Sequence, residues 1–148
     1  MMEKVNHPSH YNNNLINVEV IDIISLFVDR ASFDIGNAIK YIFRAPYKND
    51  APFLEHLKKA LWYLNDVNTL SHKTKPMTYF EKSIIDKICQ KMEYGSLEEK
   101  LCAKILRSIF HSLYAEKLHE ARCDLENIIK DYEKGLENEN KNMEKNLQ

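Results

Sequence analysis

Glycine and proline are scarce in this chain, with three and four residues among 148. Turn-rich β architectures spend both residue types at hairpins and corners, so the scarcity argues against a β-sandwich and for long helices. Charge of either sign is not in excess. There are 21 Lys and Arg against 22 Asp and Glu, a net of −1, which removes any bulk electrostatic pull toward nucleic acid or an anionic membrane. An anion site must therefore be a local cluster. Long apolar runs and a charged-then-apolar leader are missing, so neither a membrane span nor secretion by a standard signal is expected. Cys89, Cys102 and Cys123 form no C-x-x-C pair, and the reading is reduced, packed cysteines in a cytosolic protein. The glycines, at 36, 95 and 135, cannot form a phosphate-binding G-x-x-x-x-G-K-[ST] loop. G-x-S-x-G and H-E-x-x-H are also missing, so hydrolase and zinc-module readings have no support and no metal site is assigned.

Hydrophobic residues make up 44% of the chain and charged residues 29%. That is enough for one domain with a real core, or a small domain with a helical extension. Residues 1–16 are polar and irregular. Residues 18–28 are densely apolar; a strand is possible, but Glu19, Asp22 and Asp29 share one helical face, which predicts a mostly buried helix with an acidic stripe. Ser32 can cap a helix over residues 33–45 that Pro46 helps to end. Beyond Pro52, Leu54, Leu57, Leu61 and Leu64 mark the next helix, and residues 65–76 form a linker. Apolar periodicity over 78–92 and from Leu101 to Leu113 predicts two more helices, the second opened by a capping box at Ser96-Leu97-Glu98-Glu99. The apolar phase slips at 112–116 before a stripe from Leu118 to Tyr132. The expected architecture is all-α: a helical unit over 1–68, a helical extension over 77–135 used for homo-oligomeric assembly, and a disordered tail over 136–148.

The stretch Gly36-Asn37-Ala38-Ile39-Lys40-Tyr41-Ile42-Phe43-Arg44-Ala45 carries the most chemistry. Helical spacing places Asn37, Lys40, Tyr41 and Arg44 on one face and Ile35, Ala38, Ile39 and Ile42 on the other. An amide, an ammonium, a phenol and a guanidinium together suit a ligand with phosphates and an aromatic ring. A solvated amphipathic face is the plainer alternative. Lys48 follows on the next loop and adds a third cation. In the N-terminal segment, Asn6, His7, His10 and Tyr11 are candidate ligand contacts, the imidazoles toward phosphate or sugar and the phenol for stacking. Trp62 and Tyr63 offer stacking or core packing. Glu19 and Asp22 are either a Mg²⁺ or base pair, or salt-bridge partners of Lys40 and Arg44. His56, His72, His111 and His119 have no visible constellation.

Three blocks, Val5-Asn6-His7-Pro8-Ser9-His10-Tyr11, residues 36–45, and Leu57-Lys58-Lys59-Ala60-Leu61-Trp62-Tyr63-Leu64, occur in an order and spacing similar to a phage family. It is a family of unknown-function type that includes the P-loop-less nucleotide kinase of T7-like phages. The resemblance covers about residues 4–66. It implies a phage-encoded, oligomeric, nucleotide-handling protein in the cytoplasm of an infected bacterium. Where the family tends to have glycine after the His-Tyr block and after Arg-Ala, this chain has Asn12-Asn13-Asn14 and Pro46. Two functions are expected, the first suited by the cations and aromatics and by these loop departures, the second implied by the resemblance. The first is a binder, needing no cofactor, that sequesters a nucleotide-derived host immune signal of cyclic-nucleotide or ADP-ribose type. The second is a nucleoside monophosphate kinase, which would need ATP and Mg²⁺. A third possibility is a protein-binding module whose basic face meets an acidic host partner.

Overall fold

A computed structural model describes residues 12–13, 18–19, 33–67, 78–115 and 118–148. Its architecture is helical, apart from a minimal antiparallel pairing of β1 (Asn12–Asn13) with β2 (Val18–Glu19) in the register Asn12↔Glu19 and Asn13↔Val18. The helix expected over 18–28 is thus corrected at its start. β-branched Val18 suits an extended, laddered backbone, and cross-strand pairing overrides the helical periodicity read from sequence. The rest of that segment lies outside the described residues.

Among the described residues five helices follow: α1 (Phe33–Arg44), α2 (Phe53–Asp66), α3 (Tyr79–Glu93), α4 (Leu97–Ala115) and α5 (Leu118–Asn146). α1 packs on α2, α3 on α4, α4 on α5, α2 on α5, and α1 on α4. The apolar stripe of α1 is buried as its spacing predicts, with Ile35, Ala38, Ile39 and Ile42 inaccessible to solvent. They join Leu57, Ala60 and Leu64 of α2 and Cys102, Ile105, Leu106 and Ile109 of α4 in one core. Burying each of the Ile and Leu side chains among them stabilises by about 1.5–3 kcal/mol.

Local capping sets the helix starts. Thr78 and Glu81 form a reciprocal box that opens α3. Ser96 and Glu99 do the same for α4, where the Glu99 amide donates to Ser96 Oγ at 3.1 Å and the Ser96 amide donates to Glu99 Oε1 at 3.2 Å. A Cβ at Gly95 would lie 2.6 Å from the Glu99 carboxylate, so a side chain there would push that carboxylate aside. The apolar phase slip at 112–116 falls where the described part of α4 ends, at Ala115, ahead of α5 at Leu118.

The first two helices are tied to the last two by polar contacts. The Tyr47 hydroxyl donates to Glu99 at 2.9 Å, and Lys58 pairs with Glu133 at 2.5 Å. Arg122 of α5 reaches back to the C-terminal end of α2, donating to the Leu64 carbonyl at 2.7 Å and the Val67 carbonyl at 3.3 Å. α3 is joined to α4 by Arg107, which bonds Glu93 at 2.6 Å and Asp86 at 2.8 Å.

Two expectations are corrected here. Residues 136–146 continue α5 as helix, although every residue from 134 onward is exposed. Extending an existing helix avoids the nucleation cost that an isolated polar segment cannot meet, and Glu137 and Lys141 have the favourable i, i+4 spacing. Cys89 and Cys102 are packed as expected, but Cys123 is exposed; all three are free.

Candidate functional site

The polar face of α1 and one face of α2 meet beside the loop that joins them. Tyr41 is at the centre. Its ring stacks on Tyr63 of α2, with centroids 5.7 Å apart and planes at 18°. Three cations surround it: Lys40 Nζ lies 5.2 Å from the ring centroid, the Arg44 guanidinium carbon 5.7 Å and Lys59 Nζ 5.9 Å. At these distances a cation is attracted by the ring quadrupole, and the ring in turn holds the cations together. Trp62 meets Tyr63 edge-on at 5.1 Å and is 61% exposed, while Tyr63 packs against the core.

Beneath the aromatic pair is His56. Its side chain is only 1% exposed, and its ring lies 6.3 Å from that of Tyr41. Neither ring nitrogen is hydrogen-bonded among the described residues; Nε2 is 3.3 Å from Asp50 Oδ1, outside hydrogen-bond geometry. The other oxygen of that carboxylate, Asp50 Oδ2, pairs with Lys48 at 3.0 Å. Lys59 pairs with Glu55 at 3.0 Å, one helical turn away.

The electrostatics follow from this crowding. Burial, then Arg44 and Lys48, push the Lys40 ammonium below its ordinary pKa. Burial also pushes His56 down; Asp50 opposes this, while Arg44, Lys59 and Lys48 reinforce it. The Asp50 carboxyl is held below the usual range chiefly by its bond to Lys48. Like charges that depress one another's protonation are relieved by an anion, so the cluster is electrostatically suited to one.

A second feature adjoins the cluster. An open cleft of about 540 Å³ is lined by Ala45, Pro46, Lys48, Asp50, Pro52 and Phe53, among others, together with Glu98 of α4. It opens at the N-terminus of α2, where Pro52 offers no side-chain cap. First-turn N–H groups and the helix dipole there favour negative charge.

Of the residues singled out from sequence, Lys40, Tyr41, Arg44 and Lys48 are brought to this one region. Asn37 shares the helix face but donates its amide to the Phe33 carbonyl at 3.2 Å. Asn6, His7, His10, Tyr11 and Asp22 lie outside the described residues, and Glu19 is described only through the backbone of β2. Sequence reasoning did not assign His56, Asp50, Lys59 or Tyr63 to a site with Lys40. A signal did exist for three of them, since His56, Lys59 and Tyr63 stand at i, i+3 and i+7 on α2. Asp50 had none, because a turn residue is placed by the loop's path. Among the described residues, no group of three or more His, Cys, Asp or Glu side chains is arranged to hold a metal ion.

The fold and the site thus define a helical protein with a compact cationic and aromatic face on its first two helices. No helix among the described residues is long and apolar enough to cross a membrane. Over residues 5–65 the chain is similar to a family described as a protein of unknown function, DUF3310. That span takes in the β1–β2 pairing, all of α1, and α2 to one residue short of its end, and so every candidate ligand-contacting residue; α3, α4 and α5 lie beyond it. No curated protein and no solved structure shows a significant match.

Proposed function

We propose that the chain binds a phosphate-bearing aromatic small molecule on the α1–α2 face, and that its role is to sequester a nucleotide-derived immune signal during phage infection. The observation that carries the reading is the gathering of Lys40, Arg44 and Lys59 within 5.2–5.9 Å of the Tyr41 ring, itself stacked on Tyr63. Cations supply charge-assisted bonds to phosphate oxygens, and exposed aromatic surface at Trp62 supplies a platform for a base. The phage setting rests on the sequence resemblance. Homo-oligomeric assembly through the later helices belongs to the same proposal, as do the cytoplasmic location and the N-terminal contacts from His7, His10 and Tyr11.

The resemblance also favours a second reading, a nucleoside monophosphate kinase acting with ATP and Mg²⁺. Here Lys40 and Arg44 would neutralise the transferring phosphoryl group. One experiment separates the two. The purified protein is incubated with a panel of nucleotides, cyclic nucleotides and ADP-ribose derivatives, with and without ATP and Mg²⁺, then denatured, and the small molecules are recovered by chromatography. A ligand retained and released unchanged supports sequestration, and a monophosphate converted to a diphosphate establishes the kinase. Lys40→Ala and Arg44→Ala should each lower retention at least about tenfold, the size expected from losing a charge-assisted hydrogen bond. Retention unchanged in both variants would remove the site from either reading.

A further inference from the structure

The loop between α1 and α2 holds a carboxylate where an anionic ligand would be expected to sit. Asp50 contacts two groups at once: its Oδ2 is 3.0 Å from Lys48 Nζ and its Oδ1 is 3.3 Å from His56 Nε2. We propose that the Asp50 carboxylate occupies, in the free protein, the seat of a ligand phosphate between Lys48 and His56 at the α2 N-terminus, and that the incoming phosphate displaces it. This rests on the reading that the α1–α2 face takes a phosphate-bearing ligand, and it names the place where one phosphate goes.

Three independent features support the seat. His56 is 1% exposed, yet neither of its ring nitrogens makes a hydrogen bond among the described residues. A buried imidazole so poorly served by the neighbouring Asp50 carboxylate is destabilising, and a better-placed oxygen would relieve it. The N-terminus of α2 lacks a side-chain cap and opens onto the 540 Å³ cleft lined by Lys48 and Asp50. A phosphate brings three peripheral oxygens to share among the helix amides, Lys48 and His56, whereas Asp50 pairs with Lys48 through Oδ2 and leaves Oδ1 beside His56 Nε2 without bonding it. Finally, Asp50 is 51% exposed on a turn, so swinging it into solvent disturbs no packing. Glu98 of α4, which also lines the cleft, accepts a hydrogen bond from the Tyr132 hydroxyl at 3.2 Å.

The seat makes Asp50 a built-in competitor. It keeps Lys48 and His56 in place without a ligand, and it weakens binding of anything too poor in charge to displace it. Orthophosphate esters and diphosphates are the chemistry selected; neutral nucleosides are not.

The test uses inorganic pyrophosphate as the probe, with the full-length protein and the Asp50→Asn, Lys48→Ala and Asp50→Asn/Lys48→Ala variants. Affinity is measured by calorimetry, and the His56 ring signals are followed by NMR. Asp50→Asn should bind pyrophosphate about two- to fivefold more tightly than wild type, the scale of one exposed ion pair. That gain should vanish in the Lys48→Ala background. In wild type, saturation with pyrophosphate should shift the His56 ring signals as Asp50 leaves. Equal or weaker binding by Asp50→Asn, with wild type still binding, overturns the displaced-carboxylate proposal and leaves the ligand reading standing. Unmoved His56 signals at saturation overturn it in the same way. If neither wild type nor Asp50→Asn takes up pyrophosphate, both the seat and the phosphate reading beneath it fail. Because Asp50 sits on the surface, circular dichroism of the variants should match wild type, and Asp50→Ala provides a second uncharged replacement.

Discussion

Replacing Arg122 with methionine tests how the two ends of the chain are held together. α2 has no basic residue in its last turn, so its C-terminal carbonyls and the negative end of its dipole have no partner on their own helix. Arg122, 55 and 58 residues further along the chain, supplies one, through bonds of 2.7 Å to the Leu64 carbonyl and 3.3 Å to the Val67 carbonyl. A hydrogen bond from a charged group contributes about 1.5–3 kcal/mol net. The first bond is short and part-buried and should contribute near that range, and the second is long and should contribute little. Methionine keeps the apolar stem and fills similar space, so the loss should be mainly polar, about 2–3 kcal/mol. For a chain of this size that is about 4–12 °C in Tm. Urea melts of wild type and Arg122→Met, followed by circular dichroism, give the difference directly, with an unchanged m-value confirming that both unfold alike. A difference below about 0.5 kcal/mol would refute the reasoning and show that water serves those carbonyls equally well.

Other consequences are as readily checked. A thiol reagent should modify one cysteine quickly in the native protein, the exposed Cys123, and all three in denaturant; burial pushes the Cys89 thiol up to about 11 and raises Cys102 as well, which keeps both as unreactive thiols. Rapid native modification of two or more would contradict the packing. Stability should fall as the pH drops below about 6.5, because an unfolded imidazole then takes a proton that buried His56 resists. His56's contribution is therefore complete above that pH and is lost as the pH falls toward its lower folded value, and His56→Gln should flatten the profile between pH 7.5 and 5. An identical slope in the variant would show that other groups set it. Deleting residues 137–148 should change the unfolding free energy of the monomer by no more than about 0.5 kcal/mol, since those side chains are exposed; a large loss of Tm would mean that this part of α5 is packed in an assembly.

Helix content and much of the helix punctuation could be read from the chain alone. Apolar residues at i, i+3 and i+4 are buried in α1 and α2 because a helix of either sequence has only one side that water disfavours. Ser96 and Glu99 cap α4 as their spacing implies, since capping is a local reaction between neighbours. The gathering of Lys40, Tyr41 and Arg44 was legible for the same reason, as one turn of helix sets their separation. Local pattern misled where long-range or cooperative terms dominate. Val18 and Glu19 pair with Asn13 and Asn12 in an antiparallel ladder, and residues 136–146 remain helical by extending a helix that packing has already nucleated. Only the tertiary structure could bring His56 beneath Tyr41, set Asp50 between His56 and Lys48, and carry Arg122 to the end of α2. The contacts of His56 and Arg122 join separate elements, and their meeting depends on how α1, α2 and α5 bury their apolar faces together, a property of the packed core that no local spacing encodes.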